Sequence, residues 1–161
     1  MLQLNTSINP MLNGGVCQCS VAHKYGAWFV RSRVTGPGST QVELLWPTVG
    51  WPPEIDFNET GGQATSTTAT NIWAVSGNSR SQSQVSVKID MTQWHTWGVE
   101  WTPTSITYTV DGRAWGSFTT ASEIPSQPMW LTLQQQTWCA SGYACPTSPD
   151  SMQIDWVAEF Q

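Results

Sequence analysis

Apolar and polar positions alternate along most of this chain, and the alternation has the two-residue period of β-strands. Tyr25 to Val34 sets Trp28 and Val30 on one side and Phe29, Arg31 and Arg33 on the other. Gln41 to Trp46 is a second strand, with Leu44 and Leu45 expected inside. Further strands are predicted at Thr70 to Val75, Val85 to Ile89, Thr96 to Trp101, Ser105 to Asp111, Ala114 to Phe118, Trp130 to Gln136 and Met152 to Phe160. In Trp130 to Gln136, Leu131 and Leu133 point inward, and Gln134 and Gln136 outward. Turn residues separate these runs. Gly36-Pro37-Gly38-Ser39 and Thr102-Pro103-Thr104 are turns, and Asp111-Gly112 is a two-residue hairpin. Residues 1–24 read as strand-poor, with turns at Asn9-Pro10 and Asn13-Gly14-Gly15, and Gly61 to Thr68 as a mobile polar loop. No long amphipathic helix and no internal repeat interrupts the pattern. Many short strands joined by Gly and Pro turns predict an all-β sandwich or jelly roll, formed as one domain over residues 1–161.

One strand breaks its own alternation. Glu54 to Glu59 puts Ile55 and Phe57 on the core side and Glu54 and Asp56 on the other. Glu59 lies five positions from Glu54, so a regular strand would bury it, and an unpaired buried carboxylate is costly. A one-residue β-bulge near Phe57-Asn58 returns Glu59 to the face of the other two acids. Three readings fit such a trio. Glycoside hydrolysis needs two carboxyl groups flanking the bond, ~5–5.5 Å apart with retention or ~6.5–9.5 Å with inversion. Four strand steps span ~13 Å between Cα atoms, which two Glu side chains leaning together largely close. A hard cation such as Ca²⁺ is the second reading, although the loop pattern of an EF-hand is missing. The third is a polar strand face that meets solvent.

Composition narrows the choice. Only 11% of residues are charged, the formal net charge is −5, and Lys and Arg total six. Six cations cannot form a phosphate-binding stripe, so nucleic acid is not an expected partner. No apolar run reaches the ~18 residues of a membrane span, and Met1-Leu2-Gln3-Leu4-Asn5 lacks the basic start and apolar core of a signal peptide. Eleven Trp residues exceed what one small core plainly needs. A flat aromatic ring suits the C–H face of a sugar, so a carbohydrate cleft and a Trp-rich core or interface compete for them. Trp51 and Trp97 are the stacking candidates. The four Cys are Cys17, Cys19, Cys139 and Cys145. Cys139 and Cys145 bracket a loop that a disulfide could close. Cys17 and Cys19, two apart on one strand face, are expected to bond poorly to each other. Neither spacing is a common zinc pattern. A 139–145 disulfide, an oxidising compartment and no metal role for the Cys are the expectation.

Several motifs together resemble glycoside hydrolase family 16, the laminarinase-type β-glucanases. Glu54-Ile55-Asp56-x-x-Glu59 resembles the family's acidic signature, and its five-residue spacing is similar to the bulged laminarinase type. Tyr25 to Arg31 resembles a YGxxExR strand, Trp94 to Pro103 an FHTYGxEWTP strand, Tyr108 to Gly112 a YxVDG hairpin, and Met152 to Val157 the closing strand. The resemblance implies a jelly roll of two curved antiparallel sheets with a cleft on the concave face. It implies Glu54 as nucleophile, Glu59 as general acid/base and Asp56 as the group that holds Glu54. Glu59, beyond the bulge, is expected to be protonated first. Arg31, Trp51, His95, Trp97, Gln134, Gln136 and Trp138 become candidate substrate contacts. For His95, a satisfied histidine beneath the cleft competes with a contact. Four positions depart from the family pattern. Phe29 stands where the family's strand carries Glu, Ile72 where a His is frequent, and Gln134 and Gln136 where relatives place Asn and Trp. No cofactor is expected, and a structural Ca²⁺ at Asp155 is the one metal the resemblance suggests. Only 24 residues precede Tyr25, so the outer strands of the family are expected to be trimmed away, minimal or supplied by a partner. The expectation is a secreted, monomeric, retaining endo-β-glucanase with a polysaccharide substrate, acting on β-1,3 or mixed β-1,3/1,4 glucan. A non-catalytic glucan-binding module and a transglycosylase are the alternatives.

Overall fold

The computed structural model describes residues 1–8, 11–77, 79–137 and 146–161. Two six-stranded antiparallel sheets form a jelly-roll sandwich. The first sheet contains β1 (Leu2–Asn5), β14 (Ser151–Phe160), β5 (Gly26–Val34), β10 (His95–Trp101), β11 (Ile106–Val110) and β12 (Arg113–Phe118), in that order. The second contains β4 (Gly14–Cys17), β13 (Met129–Gln136), β6 (Thr40–Pro47), β7 (Glu54–Glu59), β8 (Ser66–Ala74) and β9 (Arg80–Lys88). β2 (Ser7–Ile8) and β3 (Met11–Leu12) form a separate short ladder, and a 3-10 turn spans Ala121–Glu123. The N-terminal region is therefore richer in strands than its sequence suggests. β1 and β4 are edge strands, each held by one partner, β14 and β13, so they need little apolar alternation of their own.

The alternation builds the core as expected elsewhere. Trp28 and Val30 of β5, Leu45 of β6, Ile55 and Phe57 of β7, and Leu131 and Leu133 of β13 meet between the sheets. Trp97, Val99 and Trp101 of β10 share one side and are fully buried there. At one edge the sheets close on each other: a Cβ placed on Gly116 of β12 would lie 2.4 Å from Val85 Cγ1 of β9. The Asp111-Gly112 hairpin takes positive φ at both residues, 49° and 75°, as a two-residue type I′ turn requires. Gly61 to Thr68 is shorter as a loop than expected, because β8 already begins at Ser66.

Cys17 and Cys19 are disulfide-bonded to each other, contrary to the expectation. The strand stops at Cys17 and the chain turns at Cys19, which brings the Cα atoms to 5.2 Å, within the usual disulfide range. The expected pair Cys139 and Cys145 lies outside the described residues, as does Trp138.

An acid sits inside the sandwich. Glu43 of β6 is fully buried and accepts hydrogen bonds from Ser32 of β5 and from Gln41 Nε2 at 2.9 Å. Asn58 of β7 is its third neighbour. Burial pushes the Glu43 carboxyl up to about 8, against the pull of Ser32, Asn58 and Gln41. An acid that holds its proton in the folded state and loses it in the unfolded chain makes stability fall as pH rises. The fall runs from the ordinary carboxyl value of 4.5 up to about 8 and then levels. Glu43→Gln removes this contribution. Urea unfolding at pH 5 and pH 8 should show the wild type losing on the order of 4 kcal/mol more stability than the variant over that interval.

Candidate active site

The site is built on β7, and β7 is bulged. Against β6 the register runs Leu44 to Asp56 and Glu43 to Asn58, which leaves Phe57 as an extra residue. Against β8, Asp56 meets Thr70 and Glu59 meets Thr68, so the same insertion appears on both sides. Phe57 packs in the core and Asn58 reaches the buried Glu43. With both of these turned inward, Glu59 returns to the side of Glu54 and Asp56.

The three carboxyl groups line one cleft of about 370 Å³. Val42, Leu44 and Trp46 of β6, Trp51 of the β6–β7 connection, and Gln134 and Gln136 of β13 complete it. On the β13 side it meets a second hollow of about 420 Å³ against Asn13, Gly14, Gly15 and Thr132, with Gln134 and Gln136 common to both. On the other side Glu59 is shared with a hollow of about 160 Å³ lined by Thr68, Gln84 and Ser86. The three hollows form a groove that crosses the strands of the second sheet.

Each acid has a different environment. Trp51 Nε1 donates to Glu54 Oε2 at 2.6 Å. Asp56 is buried, with Oδ1 lacking any donor. Burial raises its affinity for a proton well above the usual carboxylate range, and the charges of Glu54 and Glu59 raise it further. The proton it keeps is within hydrogen-bond reach of Glu54. Glu59 is also raised, by burial first and by the charge of Glu54 second. Asp56, the more deeply buried of the two, is raised further than Glu59, the acid expected to be protonated first. The arrangement places a glutamate oriented by an indole N–H beside two carboxyl groups of raised proton affinity, and such differences of environment are what separate acid from base roles.

Several expected contacts lie elsewhere. Trp97 is 0% exposed and packs edge-on to Trp115 in the core, so it cannot stack on a ligand. His95 belongs to the first sheet, away from the cleft. Its Nδ1 meets Asp111 Oδ2 at 2.8 Å and its Nε2 meets the Asp90 carbonyl at 3.1 Å, so both ring nitrogens are already engaged. Arg31 is also on the first sheet, turned away from the core with Phe29 and Arg33. It pairs with Asp155 at 3.3 Å and, with Arg33, covers Trp94. The Glu-to-Phe departure at Phe29 therefore removes no carboxylate from the cleft. Asp155 is itself the extra residue of a second bulge, between Ile154 and Trp156 of β14. A guanidinium beside its carboxylate does not suit a Ca²⁺ ligand set, and no cluster of three or more metal-ligating side chains occurs among the described residues.

Two residues that contact Trp51, Trp46 in the cleft and Arg80 beside it, are not singled out by the sequence. Trp46 stacks on Trp51, with ring centroids 6.5 Å apart and planes 12° apart. Arg80, the first residue of β9, holds its guanidinium 4.8 Å from the Trp51 ring centroid. The doublet Leu45-Trp46 beside Pro47 carried a signal for the first, since Trp46 shares the side of Val42 and Leu44. Nothing local marked Arg80.

Comparison with known proteins agrees with this architecture. A solved Bacteroides ovatus glycoside hydrolase family 16 protein, from a mixed-linkage glucan locus and bound to an oligosaccharide product, superposes with a TM-score of 0.79. It is 16% identical, over 98% of this chain and 80% of its own. The catalytic domain of an endo-1,3-beta-glucanase (laminarinase) from Thermotoga petrophila gives a TM-score of 0.72 at 20% identity, over 94% of this chain and 69% of its own. An endo-1,3-1,4-beta-glycanase of Rhizobium meliloti is 29% identical over 146 residues, which is 88% of this chain. The chain spans 31% of that relative's length. The family model for glycosyl hydrolases family 16 matches residues 2–158, and the chain therefore belongs to that family of glycosidases.

Proposed function

We propose that this chain is a retaining endo-β-glucanase that cleaves β-1,3 or mixed β-1,3/1,4 glucan. The observation that carries the reading is the bulge in β7, which presents Glu54 and Glu59 on one face of a groove. Glu54 attacks the anomeric carbon as its carboxylate, with one oxygen held by the Trp51 N–H. Glu59 carries the proton that the leaving glycosidic oxygen takes. The product of this step is a glycosyl ester on Glu54 and a shortened glucan with a free hydroxyl. Glu59, now ionised, takes a proton from water as that water attacks the anomeric carbon and releases Glu54. Asp56 keeps its proton and lends it to Glu54 as a hydrogen bond, which limits repulsion among the three acids.

A groove that crosses the sheet suits an internal stretch of polymer rather than a chain end, which supports endo cleavage. The Cys17–Cys19 disulfide suits an oxidising compartment, which supports secretion as the place of action. The departure at Phe29 does not favour the binding-module alternative, since Phe29 lies on the first sheet and is not a cleft position.

Incubation with laminarin and with mixed-linkage β-glucan should release reducing ends, and Glu54→Gln should bring release to background. Release by that variant at wild-type rate would reject Glu54 as nucleophile. Glu59→Ala with added azide should yield a β-glycosyl azide, the product of azide attacking the glycosyl ester. An α-azide would reject retention.

The raised affinity of Glu59 for its proton also sets a pH dependence. Activity requires the protonated form, so kcat/KM should hold above the ordinary glutamate value of 4.5 and fall at higher pH as Glu59 ionises. Glu59→Gln should lower kcat by about 10²–10⁴-fold and remove that alkaline fall.

A further inference from the structure

Trp51 lies in the connection between Pro47 and Glu54, three residues before β7, and is 41% exposed. An indole on a surface connection has two side-chain torsions free to turn. It nonetheless holds its N–H on Glu54 Oε2 at 2.6 Å. Something must fix the ring. The strand order places Trp46 on β6, to one side of β7, and Arg80 on β9, beyond the other. Trp51 is contacted by both, by the Trp46 ring nearly parallel to it and by the Arg80 guanidinium above it. Arg80 stands opposite Ala74 in the β8–β9 register, whose small side chain leaves room for the arginine to lean toward Trp51. Arg80 is exposed, and among the described residues no carboxylate lies within ion-pair distance of it.

We propose that Arg80 is a positioning residue for the reaction, acting on Glu54 through Trp51. The inference rests on the reading of Glu54 as nucleophile. The guanidinium does two things to the indole. Its attraction for the ring face restricts the side-chain torsions. Its positive charge over the π-system draws density from the ring and makes the N–H a stronger donor. Both effects keep one oxygen of Glu54 engaged and leave the other to meet the anomeric carbon. Trp51 is then a part of the catalytic apparatus whose ring is already occupied, and sugar stacking falls to other surfaces of the groove. Arginine suits the task better than lysine, because a planar guanidinium lies flat on an aromatic ring.

The test combines kinetics with a readout that needs no turnover. On laminarin, Arg80→Ala should lower kcat roughly two- to fivefold, the size of one exposed cation–π contact, with little change in KM. Arg80→Lys should recover part of the loss. In a Trp51→Phe background, which keeps a ring but removes the N–H, Arg80→Ala should cost almost nothing more. In ¹⁵N-labelled protein the Trp51 indole proton should resonate downfield in the wild type and move upfield in Arg80→Ala. An unmoved indole resonance, or an equal kcat loss in both backgrounds, would overturn the proposal. A rise in KM alone, with the resonance unmoved, would instead make Arg80 a direct substrate contact. A wild type that shows the resonance shift but cleaves no glucan would reject the hydrolase reading and leave the Arg80–Trp51–Glu54 contact standing.

Discussion

Phe57 takes a place in β7 for which neither neighbouring strand has a partner, and the cleft depends on how the ladder absorbs it. Without the insertion, Glu59 would turn toward Glu43 and the core, where two acids would share a dry interior. With it, Phe57 and Asn58 both face inward and Glu59 joins Glu54 on the outer face. The groove is then lined by three acids on one strand, and their closeness has its own cost. Burial and the nearness of Glu54 lift the proton affinity of both Asp56 and Glu59. One backbone irregularity thus sets where the acids stand and how strongly they act on one another.

The same strand shows how the interior supports the surface. Asn58 sits between Glu59, its neighbour in sequence, and Glu43, its neighbour in space. Glu43 is tied in turn to Ser32 of the opposite sheet. A polar link across a sandwich core is expensive to bury, and it is tolerable here because the carboxyl stays protonated and its first oxygen is bonded twice. The strand beside the bulge is therefore fastened to the first sheet by a hydrogen bond, and the bulge itself by the packing of Phe57.

Much of this was readable from residue order. The odd spacing of Glu59 announced the bulge, and the alternation in β5, β10 and β13 announced the core. Trp97 could have been placed by the same logic, since it shares its parity with Val99 and Trp101. Composition alone leaves Trp97 between stacking and core, and the side of the strand decides for the core. Arg31 and His95 are a different case. Their parity is clear, yet no local pattern tells which of two sheets will carry the groove. β1 and β4 escaped notice because a one-sided edge strand takes its register from its partner. The Cys17–Cys19 bond escaped because it depends on where β4 stops. Arg80 meets Trp51 across 29 residues of chain, and only the strand order brings them together.

The groove runs across the strands rather than along them. Neighbouring strands in a sheet lie ~4.8 Å apart, close to the advance of one pyranose unit along an extended glucan. A polymer laid in the groove would therefore step from one strand to the next about once per sugar. For a polymer bound in that way, each strand of the second sheet would be a separately adjustable address: β13 through Gln134 and Gln136, β7 through its acids, β8 and β9 through Thr68, Gln84 and Ser86, which line the groove. Substitutions confined to the outward positions of one strand can alter the reading of one sugar while the core beneath, which uses the inward positions, stays as it is.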